Sequence, residues 1–283
     1  MNFLFLLETT PAVFYALVAL LGLFVGSFLN VVIHRLPTIL KQQWCIDCST
    51  YLYPDDEPPK FEKYTLSHPR SHCPNCNATI RWYSNIPLVS WLLQKGKCRD
   101  CNQPISARYP LIEFLTMALS LAVAFKFGFS IQALFALIFV YVSIALFFID
   151  AEHKLLPDRL VFPLIGLGLI INVKSVFVSP DMAILGVVIG FTSLWSIYII
   201  MKLITGKEGM GYGDFKYLAA IGAWFGPLVI APIFVYSAAL GLFYVLGGFI
   251  ARKIHGSENC RNPQIAFGPF LVISAFIIML FVN

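Results

Sequence analysis

The chain has 283 residues, of which 58% are hydrophobic and only 12% charged, and its formal net charge is +5. An ordinary soluble domain carries about twice that charged fraction. Too few polar residues remain to cover an apolar core, which excludes an ordinary soluble domain and points to a polytopic membrane protein.

The first apolar stretch, near 11–33, is long enough to cross about 30 Å of hydrocarbon. No Lys or Arg precedes Arg35, so the positive n-region of a cleaved signal peptide is missing. The stretch reads as a true span with its N-terminus outside. Residues 35–108 follow as the one long polar segment, with six of the seven cysteines. Within it "PDDEPPKFEK" (54–63) reads as a loop or linker. Further apolar stretches lie near 109–127, 131–149, 159–178, 182–204, 228–250 and 264–282, with a shorter one near 215–227 that Gly222, Gly226 and Pro227 interrupt. The expected fold is therefore an all-α polytopic membrane protein of about eight transmembrane helices. A small cytoplasmic zinc domain lies between the first two. The domains are 1–34, the first span; 35–108, the cysteine-rich domain; and 109–283, a seven-helix membrane bundle. No internal repeat or low-complexity run stands out.

The positive-inside rule sets the orientation. With eight spans and an external N-terminus, 18 Lys and Arg fall on the cytoplasmic side and only Lys126 and Lys174 outside. Both termini then face out, and the cysteine-rich loop faces the cytoplasm. The net positive charge follows from this asymmetry and gives no reason to invoke nucleic acid.

Three Cys-x-x-Cys pairs occupy the loop: Cys45/Cys48, Cys73/Cys76 and Cys98/Cys101. Each such knuckle can present two thiolates to one metal, and two knuckles complete a tetrahedral zinc site. In the reducing cytoplasm zinc is favoured over disulfides. Four cysteines leave no open position for water, so the site would be structural. Spacing alone leaves Cys45/Cys48 free to partner either other pair, or to be a redox-sensitive pair, a second weak site or two unpaired thiols. Cys260 reads as an inert small residue near a membrane boundary.

Acidic residues at membrane edges are functional candidates. Asp150 ends the third predicted span and Asp214 begins the sixth, on the same side. Two carboxylates that meet share a proton. The charged member takes a proton from water while the neutral one polarises a scissile carbonyl. Singly, each Asp could be merely solvated, and "GYGD" before an apolar run also suits helix capping by Asp214. Asp158, after Pro157, suits a cap better. Glu113 reads as a buried polar contact or an interfacial group, and Glu152, His153 and Lys154 as water-facing. "GMGYGD" (209–214) is not a dinucleotide fingerprint, because no strand precedes it. Its glycines suit backbone bending and close substrate approach. A transporter using the same acids as an ion or proton relay is the competing reading. It requires polar residues through the middles of several spans, and these are almost purely apolar.

"GSFLNVVIHRLP" (26–37), the stretch from "PRSHCPNC" to "ISARYPLIE" (69–113), "FIDAEHKLLPD" (148–158) and "GMGYGDFKYLAAIGAWFG" (209–226) together resemble the bacterial type IV prepilin peptidases. These are leader peptidases and N-methyltransferases, and "GYGD" matches the G-x-G-D element of membrane aspartyl proteases. The resemblance covers almost the whole chain. It implies Asp150 and Asp214 as the catalytic pair and zinc at Cys73, Cys76, Cys98 and Cys101. It implies prepilin or pseudopilin substrates at a bacterial inner membrane. They are cut after a Gly at the cytoplasmic face, and the new N-terminal residue, usually Phe, is methylated from S-adenosyl-L-methionine. "QKGKC" resembles a stretch tied to methylation, which makes Gly96 a candidate there. The Cys45/Cys48 pair departs from the family pattern.

Overall fold

A computed structural model describes residues 9–206, 209–255 and 265–281. Cys260 lies outside the described residues. The described chain is helical, and its only β pairing is two isolated bridges, His72 with Thr79 and Lys97 with Pro104. In chain order the helices are α1 (Pro11–Leu52), α2 (Val89–Leu93), α3 (Arg108–Phe127), α4 (Ile131–His153), α5 (Asp158–Asn172), α6 (Pro180–Thr205), α7 (Tyr212–Phe225), α8 (Ile230–His255) and α9 (Gly268–Phe281). Among the described residues, five helices are long and apolar enough to span a membrane: α1, α3, α4, α6 and α8. The chain divides into two compact units, Met1–Tyr141 and Val142–Asn283.

In the first unit α1 and α3 cross where α1 carries the small residues Gly22 and Gly26. A Cβ on Gly22 would lie 2.8 Å from Met117 Cα, and one on Gly26 would lie 2.8 Å from Glu113 Cα. Glycine is what lets two backbones approach this closely in an apolar medium, where packing rather than hydrophobic burial drives helix association. α1 does not stop where its apolar stretch stops near residue 33. It runs on to Leu52, so Cys45 and Cys48 stand exposed on its last turns rather than in a loop. Arg35, buried on this helix, donates to the carbonyls of Thr65 (2.9 Å), Leu66 (3.3 Å) and Pro69 (2.7 Å), tying the following loop back to the helix.

In the second unit α7 occupies the middle. Asp214, Phe215 and every residue from Tyr217 to Phe225 are buried. Its 14 residues rise about 21 Å, short of the membrane's hydrocarbon. The apolar run near 215–227 is thus a short helix, apolar all round because other helices cover it. Glycines again set the approach. Gly186 of α6 and Gly222 of α7 meet so closely that a Cβ on either would overlap the other's carbonyl, and a Cβ on Gly168 of α5 would strike the Trp224 ring. Asn172 seals the α5–α7 end. Its amide donates to the carbonyls of Ala223 (2.8 Å) and Trp224 (3.0 Å), and its Oδ1 accepts from Phe177 (2.9 Å) and Val178 (3.2 Å).

Candidate carboxylate and thiol sites

Asp150 lies near the end of α4 and Asp214 in the first turn of α7. They are 6% and 7% exposed. Both stand in the second unit. Each is approached by one backbone N–H. That of Gly268, first residue of α9, donates to Asp150 Oδ2 (3.0 Å), and that of Gly211 hydrogen-bonds the Asp214 carboxylate. Gly211 is the N-cap of α7 and Asp214 stands three residues on. The side chain therefore reaches back to cap its own helix, as the acidic member of a capping box does. The capping expected at Asp214 is present, and it leaves an oxygen over: Oδ1 is buried without a partner. A buried acceptor without a donor is costly and calls for one.

Leu156 packs against Gly213, the neighbour of Asp214, and against Gly268, the partner of Asp150. A Cβ on Gly213 would lie 2.8 Å from Leu156 Cβ, and one on Gly268 would lie 3.3 Å from Leu156 Cδ1 and 2.6 Å from Asp150 Oδ2. Gly213 is thus glycine for close packing and does not have a left-handed φ. Gly268 is a site residue that reading the sequence missed. "FGPF" carries the weak signal of a helix start with Pro at its second position, but nothing local ties it to Asp150, 118 positions away. Asp158, the runner-up acid, opens α5 without a capping bond. Its two oxygens take Lys216 Nζ at 2.8 and 2.9 Å in a partly exposed pair. Glu152, His153 and Lys154 are exposed, as expected.

In the first unit the structure brings together Cys73, Cys76, Cys98 and Cys101, whose sulfurs all lie within 4.8 Å of one another. Cys45 and Cys48 are not in the cluster. Two matching turns build it. Cys73 N–H bonds Ala78 O (2.9 Å) and Asn77 N–H bonds Cys73 O (2.9 Å). Cys98 N–H bonds Gln103 O (2.8 Å) and Asn102 N–H bonds Cys98 O (2.9 Å). Both turns read Cys-x-x-Cys-Asn, and both asparagines are left-handed, with φ of 55° and 57°. Asn is among the few side chains that tolerate this conformation. This five-residue repeat is the internal repetition that the sequence reading did not register.

The backbone N–H of Cys76, then that of Asn75, pulls the Cys73 thiol down to about 6. Cys101 is lowered as well, first by the Gln103 N–H. Cys76 is pushed up to about 12 against the pull of the Ala78 N–H, by loss of water around the cluster and by the crowding Cys101, Cys73 and Cys98 thiols. Four sulfurs this close cannot all be thiolates unless a cation sits among them. A tetrahedral zinc with bonds of about 2.3 Å sets its sulfurs about 3.8 Å apart. Cys73 and Cys101 stand at 3.8 Å. The donor set and its spacing fit such an ion.

Gly96 occupies a left-handed turn (φ 68°) just before the second knuckle. Its N–H bonds Trp91 O (2.9 Å) and its carbonyl accepts from Ile105 (2.7 Å). A Cβ there would lie 2.9 Å from the Trp91 ring. A nearby cavity of about 480 Å³ is lined by Tyr83, Ser90, Leu93, Gln94, Lys95, Lys97, Cys98, Arg99 and Asn102, not by Gly96. Its charged groups are all cationic, so it does not fit the sulfonium of S-adenosyl-L-methionine.

Residues 20–127 match the Bacterial Peptidase A24 N-terminal domain, and residues 137–246 match the Type IV leader peptidase family. The chain is 47% identical over 270 residues to a prepilin leader peptidase/N-methyltransferase of Aeromonas hydrophila, covering 95% of this chain and 91% of the relative. It is 45% identical over 281 residues to one of Dichelobacter nodosus (98% and 94% covered). It is also 45% identical over 274 residues to one of Pseudomonas aeruginosa (97% and 92% covered). No solved structure matches the chain.

Proposed function

The chain belongs to the type IV leader peptidase family, and from that premise we propose that it is a membrane aspartyl endopeptidase that removes the leader of prepilins or pseudopilins and then N-methylates the new N-terminal residue. The observation that carries the reading is the pair of buried carboxylates, Asp150 and Asp214, set at helix ends in one compact unit. They act as a dyad with one proton between them. The ionised carboxylate takes a proton from water as the oxygen attacks the scissile carbonyl. The protonated one donates to that carbonyl, and a proton passes to the leaving nitrogen as the C–N bond breaks. The Gly268 N–H fixes Asp150, and the unpartnered Asp214 Oδ1 is the oxygen available to substrate or water. This arrangement favours hydrolysis over transport, because both acids sit at helix ends.

Cys73, Cys76, Cys98 and Cys101 would hold a structural zinc, which supplies folding energy to a loop with little apolar sequence. S-adenosyl-L-methionine is the methyl donor this reading requires, and no residue is assigned to holding it. Gly96 shapes the turn into the second knuckle, which supports a structural part in methylation. We place the protein in a bacterial inner membrane, with both termini periplasmic and the thiol site and dyad on the cytoplasmic side. The lysine and arginine asymmetry supports this orientation. The experiment is direct. Purified protein is incubated with a prepilin and S-adenosyl-L-methionine, and the products are weighed by mass spectrometry. Intact prepilin after incubation with active-site-intact protein sinks the proposal.

A further inference from the structure

Neither the dyad nor the thiol cluster uses Glu113 or Asn30, and both are buried in the first unit, at 8% and 6% exposure. Glu113 stands on α3 where Gly26 of α1 crosses it. Its Oε2 accepts the N–H of Leu88 (2.8 Å), and Ser27 also hydrogen-bonds the carboxylate. Leu88 is left-handed, with φ 59°, a strained backbone for a bulky side chain. Among the described residues no Lys or Arg forms an ion pair with Glu113. Asn30 lies one turn along the same crossing. Its amide donates to the carbonyls of Gly26 and Tyr109, each at 3.2 Å. Its Oδ1 therefore turns away from both carbonyls, and it is buried with no partner. Tyr109 precedes Glu113 by one turn of α3, so the two acceptors occupy adjacent turns of one helix contact.

A carboxylate without a cation and a carbonyl without a donor are each costly when buried. One ligand relieves both: a cation that carries several N–H donors on a single atom. A primary ammonium is that group.

We propose that Glu113 and Asn30 form a receptor for a primary ammonium, the α-ammonium that cleavage leaves on the new N-terminal residue, and that Glu113 takes its proton. The inference rests on the methyl-transfer reading and deepens it. An ammonium has no lone pair and cannot be methylated. The step is –NH3+ plus –COO− giving –NH2 plus –COOH, which leaves the nitrogen lone pair free. Asn30 Oδ1 accepts a second N–H and orients the amine. Ser27 and Leu88 hold the carboxylate in place, so they are positioning groups.

The test uses the full-length protein in detergent and two fluorescent peptides, each with the sequence of a mature pilin N-terminus. One has a free α-amine and the other is N-acetylated. The wild-type protein binds the free amine tighter by about tenfold or more, the worth of a charged hydrogen bond. Glu113→Gln binds both peptides equally, keeps its metal and still cleaves prepilin. Gln retains a carbonyl for the Leu88 N–H, so the loop stays anchored while charge and proton acceptance are lost. Equal binding of both peptides by the wild type overturns the proposal without any variant. So does a Glu113→Gln enzyme that methylates at the wild-type rate and with the wild-type pH profile. Wild-type protein that prefers the free amine but never methylates it sinks the methyl-transfer reading and leaves the receptor standing.

Discussion

Cys73, Cys76, Cys98 and Cys101 gather on loops, partly in reach of water, with backbone N–H groups from their own turns aimed at the sulfurs. Asp150 and Asp214 gather inside a helix bundle, with one N–H each and an oxygen to spare. Both sites crowd acidic groups that repel one another. On the proposed reading a cation completes the thiol site, which then has nothing left to offer, because four sulfurs close a tetrahedral shell. On the same reading the carboxylate site is completed by a single proton, which leaves an acceptor over for substrate or water. The proposed difference is between a site that holds a fold and one that reacts.

The comparison is broken most sharply at the dyad. Asp150→Asn and Asp214→Asn are each expected to lower prepilin cleavage by about 10³-fold or more, the usual worth of a general acid–base pair. Methylation of a substrate supplied already cleaved should survive in both variants. Undiminished cleavage in either one removes that residue from the chemistry. At the thiol site the opposite pattern is expected. Cys73→Ser with Cys76→Ser should take bound metal from one ion per chain to none and abolish methylation, while cleavage persists. Retained methylation in the metal-free variant contradicts the proposed role of the loop. Acid should act in the same direction, since protonating thiolates releases metal.

Gly268→Ala sharpens the comparison at a smaller scale. Its Cβ would press on Asp150 Oδ2 and Leu156, and displacement of a reacting group by about 1 Å costs on the order of 10²-fold. Cleavage assays at saturating substrate should show the loss in kcat, with thermal stability little changed. The smallest effect is expected at Lys216→Ala. The pair with Asp158 is half in water, and such pairs are worth about 1 kcal/mol or less. A large fall in melting temperature for this variant would show that the bridge does more than its exposure allows.

The thiol site was legible because each half is made within five residues of chain. Spacing named the cysteines, and the resemblance chose among the pairs. The repeat of Asn77 and Asn102 escaped notice because its meaning is conformational, a φ sign rather than a charge. Asp150 and Asp214 were legible as charges at the ends of apolar runs. Gly268 was not, because its contribution is a backbone N–H and a missing Cβ, neither of which marks a sequence. The polytopic all-α fold followed from hydropathy. The status of α7 did not, because a helix sheathed in other helices and one bathed in lipid are equally apolar, and only length hints at the difference. α1 overran its apolar stretch for the complementary reason: helix propensity and tertiary ties such as Arg35 continue where hydropathy ends.

The enclosure of α7 has a consequence for how the protein is made. A short helix with no lipid-facing side gains nothing by entering a bilayer alone, so it must be received by α5, α6 and the helices that follow it. Asp214 rides on that helix, and Gly268, which steadies Asp150, begins the last one. On the proposed reading, the nascent chain therefore carries no working protease until the helix that begins at Gly268 is in place.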